Sequence, residues 1–74
     1  MLYFRRFYDL REDKDFTKKT VAQYLGIHPT VYSRYEKGSR DFPIEIVIKL
    51  ADYYQVSTDY LLGRTDIPAP YPKR

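Results

Sequence analysis

Three observations predict an all-α fold, a compact five-helix bundle. Apolar residues recur at steps of three and four along most of the 74 residues. No stretch alternates apolar and polar residues as a half-buried strand would. Glycines and prolines punctuate that pattern at helix-sized intervals, so the connections are short. A chain this short holds one domain at most. Its balance of 43% hydrophobic and 31% charged residues is that of a folding chain rather than a disordered one.

Taken in order, Phe7 and Leu10, with Tyr3 or Phe4 a turn earlier, predict a first helix over Tyr3 to Lys14, broken at Asp15. Thr17 is a natural N-cap for a second helix that carries Val21, Ala22 and Leu25 on one face. Phe16 serves as its hydrophobic staple and Gly26 as its left-handed stop. Pro29 suits the first turn of a third helix, with Tyr32 and Tyr35 inward, Thr30, Ser33, Arg34 and Lys37 outward, and Gly38 at its end. Pro43 opens a fourth, apolar at Ile44, Val47, Ile48, Leu50, Ala51 and Tyr54. Ser57 caps a short fifth helix holding Tyr60 and Leu61, with Asp59 favourable to the helix dipole and Gly63 ending it. Three prolines make the remainder non-helical, extended or disordered, which divides the chain into a domain over 1–63 and a Pro-rich tail over 64–74.

Composition removes several function classes. Without cysteine there is neither a disulfide framework nor a thiolate metal site, which points to a reducing, cytoplasmic setting. The N-terminal MLYFRRFYDLR places arginines inside any would-be signal core, and apolar runs are short, so neither export nor a membrane span is expected. The chain has no Cys or second His beside His28, no glycine-rich phosphate loop and too small a core to enclose a reaction. It is therefore expected to have no catalytic residues, metal site, cofactor or small-molecule ligand.

The charge is uneven. From Lys18 to Arg40 five basic residues, Lys18, Lys19, Arg34, Lys37 and Arg40, face the single acid Glu36. That segment is net +4 and the rest −1, within a total of +3. A basic stretch beside a slightly acidic remainder is what a phosphate-facing surface needs. The same stretch has two short helices joined by a glycine turn, a small Ala22 at the crossing, and Val21, Leu25, Ile27, Tyr32 and Tyr35 at buried positions. This spacing describes a helix-turn-helix.

At these residues the chain resembles the Cro and phage-repressor-like family, also called the XRE family, of five-helix DNA-binding domains. The resemblance spans Phe7 to Gly63. It is carried by LRED at Leu10 to Asp13, FTKKTVAQYLGI at Phe16 to Ile27, YSRYEKGSRDFP at Tyr32 to Pro43, and IKLADYYQVSTDYLLG at Ile48 to Gly63. It implies a lambda-repressor-like DNA-binding fold and an ion pair between Arg11 and Glu36 bridging the first and third helices. It also implies base reading by His28, Thr30, Ser33 and Arg34, and a backbone grip by Lys18, Lys19, Lys37, Ser39 and Arg40. Two departures thin the base reading. Lys18 stands where the family usually has glutamine, and Pro29 where many relatives carry a polar reader.

For several residues a plainer use stays open. His28 has N-capping, phosphate contact and base contact open to it, capping and DNA contact weighing about evenly. Thr30 is also a favourable second-position hydroxyl. Arg34, with its fork for guanine O6 and N7, is the strongest reader. Most of the nine tyrosines fall on buried periods, and Tyr24 and Tyr53 are expected to be exposed.

The expected function is a sequence-specific double-stranded DNA-binding regulator of transcription, a repressor. It is expected to act as a homodimer on a palindromic operator, because one short reading helix makes few base contacts. Tyr60, Leu61 and Leu62 cannot all face inward, so Leu62, with Ile67 from the tail, is the expected dimer surface. The competing readings are an antitoxin or protein-interaction module on the same scaffold, and the DNA-binding part of a longer regulator.

Overall fold

The computed structural model describes residues 4–72. Among them five α-helices follow one another without a strand: α1 Arg5–Asp13, α2 Lys18–Leu25, α3 Pro29–Lys37, α4 Ile44–Tyr54 and α5 Thr58–Leu61. No helix among the described residues is long and apolar enough to cross a membrane. The first helix starts at Arg5, with Phe4 extended in the N-cap, and Tyr3, the expected start, lies outside the described residues.

Local side-chain chemistry sets the helix starts. Thr17 Oγ1 accepts the Thr20 amide at 3.0 Å, His28 Nδ1 the Thr30 amide at 3.1 Å, and Ser57 Oγ the Tyr60 amide at 3.0 Å. Each satisfies an amide that the helix itself leaves unpaired. At the ends of α2 and α3 the chain turns left-handed at Gly26 and Gly38, with φ of 72° and 81°. Ile27 N–H then reaches the Ala22 carbonyl and Ser39 N–H that of Arg34, each at 3.0 Å, closing both helices. α4 ends the same way without a glycine. Gln55 takes φ 57°, its amide side chain donates to the Asp52 carbonyl at 2.7 Å, and Val56 N–H reaches Ala51.

The core is built from one face of each helix. Phe7, Val21, Ala22, Tyr32, Leu50 and Leu61 are fully or almost fully buried, with Leu25, Ile46, Val47, Ala51, Tyr54 and Val56 around them. Phe42, in the loop before α4, stacks on Phe7 at 4.0 Å between ring centroids and fixes that loop to α1.

Three expectations are corrected by packing. Ile44 and Ile48 lie on the apolar stripe of α4 but are 80% and 50% exposed, because α5 is only four residues long and leaves that side of α4 uncovered. Tyr35 is only half-buried, and so is Tyr53, which was expected to be exposed but is sandwiched against exposed Tyr24 at 4.0 Å and Phe16 at 5.4 Å. The tail is extended yet fastened to the bundle. Arg6 donates to the carbonyls of Tyr60 and Thr65 and pairs with Asp66 at 2.7 Å. Ser57 N–H bonds the Pro68 carbonyl at 3.1 Å, and the Tyr71 hydroxyl donates to Asp59 at 2.8 Å.

Candidate nucleic-acid interface

The base of the site is a buried ion pair. Arg11 Nε and Nη2 meet the two oxygens of Glu36 at 2.9 and 2.8 Å, and Nη1 donates to the Phe16 carbonyl at 2.9 Å. Tyr32, one turn before Glu36 on α3, donates its hydroxyl to the same carboxylate at 2.7 Å. Burial pushes the Glu36 carboxyl up, but the hydrogen bonds from Arg11 and Tyr32 and the guanidinium charge outweigh it and hold the group below its ordinary range. The hydrogen bond to Glu36 raises the Arg11 guanidinium against its own desolvation, so both partners stay ionised. This network sets α3 against α1 and orients the opposite face of α3 outward. The Tyr32 contribution was readable from its i, i+4 spacing to Glu36, a pair that shares one helix face.

The outward face of α3 carries Thr30, Arg34 and Lys37, all exposed, at helical spacing. Lys19 precedes them on α2, and Ser39 and Arg40 follow, also exposed. Among the described residues Lys19, Arg34, Lys37 and Arg40 make no ion pair or side-chain hydrogen bond. Among the acids, Asp9 pairs with Arg5 and Asp66 with Arg6, and Asp59 accepts from the Tyr71 hydroxyl. These four unpaired cations lie on and beside α3, where they can act on a polyanion.

Three of the expected contact residues, His28, Lys18 and Ser33, also make contacts within the fold. His28 is the N-cap of α3, its Nδ1 accepting the Thr30 amide, which leaves Nε2 facing away from the cap. Lys18 is half-buried, and its Nζ donates to Ser33 Oγ at 3.3 Å rather than standing free beside Lys19. Nothing in the local sequence pattern signals this contact, because it crosses from α2 to α3.

Leu62 is half-buried and lines an open apolar groove of about 630 Å³ with Phe4, Phe42, Ile44, Val47 and Ile48. Ile67 is 68% exposed on the tail and is not part of that groove. The structure therefore joins Leu62 to α4 rather than to Ile67.

Two short helices joined by a left-handed glycine, the first braced on the core and the second presenting a cationic face, define a helix-turn-helix domain. The helix-turn-helix family model matches residues 7–61, and the chain belongs to this XRE-type family. It is 37% identical over 73 residues to YobD of Bacillus subtilis, an uncharacterised HTH-type transcriptional regulator, covering 99% of this chain and 65% of the relative. The HTH-type transcriptional regulator ImmR of Bacillus subtilis is 36% identical over 85% of this chain and 50% of its own length. RstR of Vibrio cholerae, the transcriptional repressor of cryptic phage CTXphi, is 34% identical over 78% and 52% respectively. The chain thus spans between half and two thirds of the length of these relatives. No solved structure matches it significantly.

Proposed function

We propose that this protein is a regulator of transcription that binds double-stranded DNA and reads its sequence with α3 in the major groove. The observation that carries this reading is the unpaired cationic face of Arg34 and Lys37 on α3, extended by Lys19 and Arg40. Arg34 is the principal base reader, with its fork suited to guanine O6 and N7, and Thr30, Ser33 and His28 read beside it. Lys19, Lys37, Ser39 and Arg40 grip the sugar-phosphate backbone and set register. The sign of regulation is repression in the cytoplasm, by occupation of an operator.

Two copies act on a palindromic site, with their reading helices about one helical turn, ~34–36 Å, apart. The uncovered Ile44 and Ile48 beside Leu62 support a self-complementary contact through the groove. Sedimentation of wild type and Leu62→Lys with a duplex selected from a randomised pool tests the dimer. Two wild-type protomers per duplex are expected, and one would overturn it.

Titration with nonspecific duplex DNA at several salt concentrations tests the binding itself. Three phosphate-directed cations per protomer give a logarithmic salt slope of about −3. A flat response would remove the DNA reading.

A further inference from the structure

Two lysines open α2 and are used differently. Lys19 is exposed and free, whereas Lys18 is half-buried with its Nζ 3.3 Å from Ser33 Oγ on α3. A cation in the first turn of a helix meets the positive end of the helix dipole, so nothing local favours turning this ammonium inward. The fold favours it. Lys18 lines a hollow with Glu36, Arg11, Tyr8 and Lys37, and Glu36 supplies the opposite charge.

We propose that Lys18 is a positioning residue that sets the hydrogen-bonding sense of Ser33, making its hydroxyl a donor toward the base edge it faces. This rests on the reading of α3 as the DNA-reading helix.

An ammonium has three N–H donors and no acceptor, so in this pair Ser33 Oγ can only accept. The serine proton then points away from Lys18. Left alone, a serine serves donors and acceptors on bases equally. Beside the ammonium it does not. A base amino group approaching the same oxygen would bring its partial positive charge toward Nζ, whereas a base acceptor meets the outward O–H. Guanine O6 and N7, adenine N7 and thymine O4 are acceptors, and cytosine offers only its N4 amino group. One lone pair of Ser33 Oγ is taken by the ammonium and the other lies close to it, so the arrangement disfavours cytosine at the base that Ser33 faces. Lys18 acts on specificity without touching a base, and leaves phosphate contact at this corner to Lys19.

The test uses the full chain and a duplex selected by it from a randomised pool, with every base pair substituted in turn. The position that Ser33 reads is the one where Ser33→Ala flattens the preference. At that position cytosine is expected to be the worst base for wild type. Lys18→Met should raise the relative affinity of the cytosine duplex by roughly three- to tenfold, the size of one hydrogen bond. Lys18→Arg, still a pure donor, should keep cytosine disfavoured, and Lys18→Met added to Ser33→Ala should change preference there no further. Lys18→Gln provides a second neutral side chain if methionine lowers the melting temperature. If Lys18→Met and Lys18→Gln weaken all duplexes equally and leave cytosine as disfavoured as in wild type, Lys18 is a phosphate contact and the proposal fails alone. If wild type binds every duplex equally, the base-reading function falls with it.

Discussion

Arg11 Nε and Nη2 stand 2.9 and 2.8 Å from the two oxygens of Glu36, while the third nitrogen of the same guanidinium holds the Phe16 carbonyl at 2.9 Å. One side chain therefore ties α1 both to the last turn of α3 and to the loop that leads into α2. With 7% and 4% of the two side chains exposed, the pair is removed from water and behaves as a unit.

Removing one member leaves a buried, uncompensated charge. Arg11→Ala is expected to lower stability by about 3–5 kcal/mol in urea denaturation. Replacing both partners with apolar residues, Arg11→Met with Glu36→Leu, should lose less than the sum of the two single changes. Simple additivity in this cycle would mean that the two charges do not interact.

The same pair gives stability a defined pH dependence. The folded carboxyl lies below its ordinary 4.5, so between the two values the unfolded chain binds more protons than the native one. The contribution is complete above 4.5 and is lost as pH falls through the folded value. Thermal melts on either side of 4.5 should show this loss in wild type and a shallower one in the Arg11→Met, Glu36→Leu variant. Identical acid profiles would assign the loss to other carboxylates.

Two buried tyrosines should respond oppositely to loss of their hydroxyls. Burial raises both phenols, but Tyr32 donates to Glu36 whereas the Tyr54 hydroxyl has no partner among the described residues. Tyr32→Phe should cost about 1–3 kcal/mol, because it takes a donor from a buried carboxylate. Tyr54→Phe should be neutral or stabilise by up to about 1 kcal/mol, since it removes an unpaired polar atom. Equal losses in chemical denaturation would contradict the difference in pairing.

Reading and grip should separate on DNA. Arg34→Ala is expected to relax preference at one base position by ~1–3 kcal/mol, leaving other positions unchanged. Lys37→Ala and Arg40→Ala should weaken all duplexes about equally and reduce the salt slope by about one each. Binding of a substituted duplex panel at two salt concentrations distinguishes them. An effect of Lys37→Ala confined to one sequence would move that residue from the backbone to a base.

Much of this molecule is determined by chemistry within four or five residues along the chain, and that part was legible. The caps at Thr17, His28 and Ser57 need only a side-chain acceptor two or three residues before an unpaired amide, and Gly26 and Gly38 need only tolerance of positive φ. The Arg11–Glu36 pair, 25 residues apart, was expected through family resemblance rather than from spacing. Tertiary structure decided the rest. Helical period assigns Ile44 and Ile48 to the apolar face of α4, but how far a face is covered depends on the length and angle of its neighbour, and α5 is too short. Gln55 ends α4 in a left-handed turn without glycine, with its side chain on the Asp52 carbonyl and Val56 buried in the core just beyond. Arg6 fastens the tail, and Lys18 turns from solvent to Ser33, because each finds across the fold a partner that sequence distance conceals. Local hydrogen bonds and backbone sterics are fixed by neighbours in the chain, whereas coverage and long-range pairing arise only when separate helices are brought side by side.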